Sequence, residues 1–113
     1  MNIQGIKQKV SDNRHHIIQF LRDICAIPSM EGQLKAVGER IGAEMTKLGF
    51  DEVRFDQMGN ILGRIGSGKR VIVYDSHIDT VGVGDPALWG WDPFKGKVEN
   101  GILYARGAVD EKG

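Results

Sequence analysis

The sequence predicts a layered α/β domain, two helices followed by a mixed sheet, and three observations carry that expectation. Apolar residues recur at helical spacing before Gly49, alternate with charged ones just beyond it, and form one continuous run at Val71-Ile72-Val73-Tyr74. A period near 3.6 marks an amphipathic helix, a period of two a half-buried strand, and an unbroken short run a strand covered on both faces. With 113 residues the chain sits near the commonest size of a single domain, which leaves little room for a second core.

Ser11 and Asp12 are good N-caps for a first helix in which Ile17, Phe20, Leu21 and Ile24 share one buried face, and Pro28 stops it. Ser29 is placed to cap a second helix, with Leu34, Val37, Ile41, Met45 and Leu48 on one stripe and Gly49 just past its C-terminus. Val53 and Phe55 then alternate with charged residues, and Met58-Gly59-Asn60 turns the chain into Ile61-Leu62-Gly63-Arg64-Ile65, giving a strand pair. After a turn at Gly66-Ser67-Gly68-Lys69, the run from Val71 to Tyr74 is expected to be the central strand. Asn100-Gly101 separates Lys97-Val98-Glu99 from Ile102-Leu103-Tyr104 and favours a tight hairpin turn with positive φ. Domains usually finish in an exposed tail or a docked element. Arg106-Gly107-Ala108-Val109-Asp110-Glu111-Lys112-Gly113 is instead dense in glycine and charge, so a truncated domain is expected.

Composition narrows the function. Fifteen Lys plus Arg cancel fifteen Asp plus Glu, so no basic footprint exists for nucleic acid or an anionic membrane surface. The sixteen glycines are about twice the average usage of roughly 7%, and their concentration after Gly49 implies turns. Cys25 is the only cysteine and has no internal disulfide partner, which fits a reducing compartment. No basic n-region with an apolar h-region opens the sequence and no run approaches the roughly 18 apolar residues of a membrane span, so a cytoplasmic protein is expected.

The chemistry-bearing residues follow the expected central strand. In open α/β sheets ligands sit at the carboxyl ends of strands, which makes His77 and Asp79 candidates. If the backbone stays extended, a period of two puts both on one side, where a carboxylate holds an imidazole in one tautomer and improves it as a metal ligand. A single His-x-Asp is weak evidence by itself, since a satisfied histidine beside a turn-forming aspartate gives the same pattern. Asp110 lies in a glycine-bounded segment after the last predicted strand, and its two oxygens can bridge paired metals of the kind that recur in hydrolysis. Read alone, it is equally a turn residue.

Taken together, Ser76-His77-Ile78-Asp79-Thr80-Val81, Trp91-Asp92-Pro93-Phe94 and the segment from Arg106 to Gly113 resemble, in order and separation, a family of zinc hydrolases. That family comprises aminoacylase, carboxypeptidase G2, acetylornithine deacetylase and succinyl-diaminopimelate desuccinylase. Ile27-Pro28-Ser29, Leu48-Gly49-Phe50 and Gly59-Asn60 fit it as well, so the resemblance covers nearly the whole chain, and its flavour is that of the peptidase branch linked with selenium-dependent catabolism. The resemblance implies that His77 binds one zinc, that Asp79 serves catalysis by steadying and polarising that imidazole, and that Asp110 bridges two zinc ions, cobalt or manganese being alternatives. It also implies a cis peptide between Asp110 and Glu111. Residues 1–113 would form the N-terminal portion of a single α/β/α catalytic domain, with the remainder and any dimerisation domain absent. The implied activity is hydrolysis of amide or peptide bonds in short peptides or N-acylated amino acids, through a water activated by two zinc ions. A homodimer is compatible with the full-length protein. The family's glutamate pair, later carboxylate and later histidine cannot be assigned here, and a catalytic zinc normally uses three or more protein ligands. The chain alone is therefore expected to bind zinc weakly and to be inactive. The rival reading is a non-catalytic α/β binding or assembly module that keeps the fold.

Other signals point elsewhere or nowhere. The stretch from Gly63 to Arg70 imitates a phosphate-binding loop, but Arg70 replaces the required Ser or Thr and a strand is expected next. Gly82-Val83-Gly84-Asp85-Pro86-Ala87 imitates a dinucleotide fingerprint without an amphipathic helix to follow. Trp89, Trp91 and Phe94 either cover a core edge or wall the entrance to the metal site. Adjacent on a helix, His15 and His16 point in different directions and are expected to face solvent, while Cys25 is expected to pack.

Overall fold

A computed structural model describes residues 2–30 and 32–113 of the chain. Three helices open it, α1 (Ile3–Asp12), α2 (Arg14–Ala26) and α3 (Lys35–Lys47), followed by strands β1 (Glu52–Phe55) and β2 (Ile61–Arg64). A 3-10 turn at Pro86–Leu88 then leads to strands β3 (Lys97–Glu99) and β4 (Ile102–Tyr104). The α/β class holds, with one helix more than the apolar pattern suggested.

That extra helix is α1, which starts where the Asn2 side chain accepts from the Gly5 amide at 2.9 Å. Its Ile3, Ile6 and Val10 recur at helical spacing but stay exposed, so it carries little of the core. The junction falls at Asn13 instead of Ser11 or Asp12: Asn13 ends α1, and both its backbone N–H and its side-chain Nδ2 donate to the Lys9 carbonyl. From there α2 runs to Ala26. Ile27 takes an extended conformation (ψ 113°), as a residue before proline must.

Ser29 does not cap α3. Leu34 occupies that position without a side-chain bond, while Ser29 is fully buried and its hydroxyl donates to the Ile78 carbonyl at 2.8 Å. The tertiary bond outcompetes the local one because a buried hydroxyl must find a partner wherever the fold supplies one. The far end of α3 follows expectation. Gly49 has φ 79° and donates to Thr46, and Phe50 donates to Met45, the paired bonds of a Schellman cap.

Helix α3 packs on the β1–β2 hairpin, in which Val53 faces Gly63 and Phe55 faces Ile61 in antiparallel register. The close approach depends on Gly42, where a Cβ would stand 3.2 Å from the Phe55 ring, tighter than ordinary van der Waals contact. Val37 is fully buried on the same helix, whereas Leu34 and Leu48 at the ends of the expected stripe are exposed. Between α2 and α3 lies a charged cluster in which Arg40 meets Asp23 at 3.0 Å and buried Glu44 at 2.7 Å. His16 joins it, 2.8 Å from Glu44, while its side chain stays 40% exposed.

The expected central strand is corrected. Val71, Ile72, Val73 and Tyr74 form no strand and are 79%, 79%, 80% and 93% exposed. A strand needs an edge to pair with, and here β1 and β2 pair with each other, as do β3 and β4. Two separate antiparallel hairpins thus replace the mixed sheet. The second is the one Asn100-Gly101 announced: both residues have positive φ, 52° and 79°, the signature of a type I′ turn. Gly101→Ala is expected to cost about 1 kcal/mol, because an L-residue with a side chain resists the left-handed region; the urea midpoint, compared with wild type, measures it.

Candidate metal centre

The site is built where two segments distant in sequence are tied together. On one of them, Ser29 accepts from the Thr80 amide at 2.9 Å and donates to the Ile78 carbonyl. Thr80 is buried, while the side chains of His77 and Asp79 remain about half exposed. The other segment begins at Arg106, whose amide donates to the Pro93 carbonyl at 2.7 Å. Gly107 follows with φ 81° and lies so close to Thr80 that a Cβ would stand 2.5 Å from the threonine methyl. Only glycine fits both demands. Lys112 anchors the end, donating from Nζ to the carbonyls of Ile24 and Ile27 at 2.8 and 2.9 Å, where it satisfies the C-terminal end of α2. Burial lowers the pKa of that amine.

These ties bring His77, Asp79 and Asp110 together, as the sequence suggested. His77 Nδ1 lies 3.3 Å from an Asp79 carboxylate oxygen and 3.1 Å from the Asp79 carbonyl. On the other edge of the ring, Nε2 lies 3.0 Å from Asp110 Oδ1. A fourth residue was missed: Glu111 places Oε2 3.9 Å from the same Nε2. Its signal was adjacency to Asp110 alone; the Asp110–Glu111 peptide is cis, as the resemblance implied. One ligand atom each from His77, Asp110 and Glu111 falls within a 4.8 Å cluster.

The electrostatics are those of an acidic pocket around one imidazole. Desolvation by itself would lower the pKa of His77, but it is outweighed by the Asp79 carbonyl, the Asp110 carboxylate and the charges of Glu111 and Asp79, which raise it above 6.5. A cation of higher charge than a proton, seated between Nε2 and the two carboxylates, meets the same attraction. The cleft beside this cluster has a volume of about 270 Å³ and is lined by His77, Asp79, Thr80, Arg106, Val109 and Asp110 among others.

The aromatic residues do not wall this cleft. Trp89 and Trp91 meet edge to face at 5.2 Å, and Trp91 meets Tyr104 on β4 at 6.4 Å. Trp91 and Phe94 line a second cleft of about 490 Å³. The glycine loop from Gly82 to Ala87 runs into the three-residue 3-10 turn, where Asp85 caps the Ala87 amide.

Residues 73–113, the stretch that holds every one of these ligand candidates, match peptidase family M20/M25/M40. Over that stretch the chain is similar to that family. Its relatives include the uncharacterized protein YgeY of Escherichia coli, 44% identical over 108 residues that cover 96% of this chain and 27% of the relative. A succinyl-diaminopimelate desuccinylase of Afipia carboxidovorans is 38% identical over 103 residues, covering 85% of this chain and 27% of its own length. One from Methylocella silvestris is 34% identical over 112 residues, 92% of this chain and 29% of the relative. The chain thus spans between a quarter and a third of the length of these relatives. The matches are thus to a peptidase family over residues 73–113 and to desuccinylases over most of this chain.

Proposed function

We propose that the chain supplies the N-terminal part of a catalytic domain, with the first metal ligands, to a hydrolase that cleaves amide bonds in short peptides or N-acylated amino acids. The observation that carries this reading is the convergence of His77 Nε2 with the carboxylates of Asp110 and Glu111, while Asp79 holds the opposite ring nitrogen. The donor set fits the group: one imidazole with carboxylates suits zinc, and cobalt or manganese accept the same atoms. In this reading His77 and Asp110 hold the cation, Asp110 has a second oxygen free to serve another, and Glu111 offers a further oxygen. Asp79 fixes the tautomer by accepting from Nδ1–H, which leaves the Nε2 lone pair directed at the metal position. A bound cation of this class polarises a carbonyl and lowers the pKa of water toward about 7. The cleft beside His77 gives an amide-bearing substrate its approach.

A cytoplasmic location belongs to the same proposal, supported by the single, buried Cys25. Among the described residues no helix is long and apolar enough to cross a membrane.

The test is a cobalt(II) titration of the intact hydrolase to which the chain is proposed to belong, followed by visible absorption and by calorimetry. Saturable uptake with a ligand-field spectrum of nitrogen and oxygen donors is expected. A protein that takes up no cobalt, zinc or manganese refutes the metal reading and favours the non-catalytic module.

A further inference from the structure

We propose that Arg106 is the anion-recognising residue of the cleft, pairing with a carboxylate carried by the substrate at a distance from its scissile amide. The inference goes beyond the metal-centre reading and rests on it only for which bond is cleaved. Among the described residues, Arg106 has no carboxylate within ion-pair distance, and its Nε is buried without a hydrogen-bond partner. Buried guanidinium nitrogens are ordinarily satisfied, and an orphan among them calls for an unseen acceptor. Arg40, the comparably enclosed arginine, is engaged by two carboxylates at once.

The position of Arg106 gives that acceptor a place. It lines the same cleft as His77 and Asp110, four residues before the latter, and its guanidinium lies 5.2 Å from the centre of the Trp89 ring. Trp89 is itself fixed, its indole N–H donating to the Val83 carbonyl at 2.7 Å. A guanidinium held over an anchored indole is restrained, which helps its fork meet a carboxylate with two parallel bonds. The other cation of this segment, Lys112, is committed to the Ile24 and Ile27 carbonyls. Apart from His77, the remaining lining is acidic at Asp79 and Asp110 and otherwise neutral, including Val81, Ala108 and Val109. A substrate carboxylate entering there is repelled by Asp79 and Asp110 and finds attraction only at Arg106, at His77 and at the metal position. The chemical class that fits is therefore an N-acyl amino acid or short peptide with a free carboxylate on the part that points to Arg106.

The experiment uses succinate as the carboxylate probe and succinamide as its uncharged counterpart, read by tryptophan emission in wild type, Arg106→Gln and Arg106→Lys. Succinate is expected to bind wild type with at least tenfold higher affinity than Arg106→Gln. Arg106→Lys, which keeps the charge but loses the fork, should fall between them, and succinamide should not distinguish the three. Cobalt spectra recorded before the probe is added should be the same in all three proteins. Succinate affinities within twofold across the set overturn the proposal, as does a variant whose cobalt spectrum changes along with its succinate affinity, since that makes Arg106 a support of the metal centre. If wild type takes up no cobalt, the metal reading falls by itself, and the succinate comparison in the metal-free protein still decides the role of Arg106.

Discussion

His77→Ala is expected to lower cobalt or zinc affinity at least a hundredfold, and Asp79→Asn to lower it by roughly 10- to 100-fold, the usual cost of losing the partner that orients a ligating histidine. The two effects have different origins. His77→Ala deletes the only nitrogen of the cluster and leaves Asp110 and Glu111, carboxylates that hold a borderline cation poorly without an imidazole. Asp79→Asn deletes no ligand. It replaces an acceptor 3.3 Å from Nδ1 by an amide that can present either a carbonyl or an NH₂ group. In the second orientation Nδ1 becomes the acceptor and Nε2 carries the proton, so the lone pair points away from the metal position. Because Asp79 also offers its backbone carbonyl to Nδ1 at 3.1 Å, part of the orientation survives, which is why the loss is smaller. Calorimetric titration of both variants against wild type measures the difference. Equal affinity in all three would place the cation elsewhere.

That much of the site was legible because its rule is local. A period of two puts residues 77 and 79 on one side of an extended segment whatever the rest of the fold does, and Asp79 accordingly reaches Nδ1. The hairpin at Asn100-Gly101 and the Gly49 cap are legible for the same reason, since positive φ at a fixed position is written into the residue type. What escaped depends on partners remote in sequence. Ser29 has the side chain of an N-cap, and only the arrival of Ile78, 49 residues later, turns its hydroxyl away from α3. The run from Val71 to Tyr74 shows an appetite for burial, but apolar character does not supply the strand edges that would cover it. Glu111 drew no reading of its own, because its approach to His77 depends on the fold bringing two remote segments together. Arg106 gave no sign at all, because an orphan nitrogen is defined by neighbours that no window of sequence contains.

Arg40→Met is expected to destabilise the chain by about 2 kcal/mol at pH 7, the order of cost for leaving a buried acceptor unsatisfied. Arg40 spans α2 and α3: its guanidinium reaches Asp23 and Glu44 while lying 4.8 Å from the centre of the Phe20 ring, so methionine retains the packing and removes the charge. The residue left behind matters more than the one removed. Glu44 is only 4% exposed, and its remaining basic neighbours are His16 at 2.8 Å and Lys47 at 3.8 Å. In wild type the hydrogen bond from Arg40 is the largest influence on Glu44 and, with the charges of Lys47, Arg40 and His16, holds its carboxyl below the usual 4.5 against the opposing effect of desolvation. A carboxyl with a depressed folded-state pKa contributes stability that is present above the unfolded pKa and is lost as pH falls through the folded one. The wild type should therefore lose this contribution as the pH drops below about 4.5, whereas Arg40→Met, lacking the main cause of the depression, has less to lose. Urea denaturation of both proteins at pH 7 and pH 3 should show the gap between them narrowing in acid. A gap that stays constant would mean that Arg40 acts through its contact with Phe20 and not through its charge.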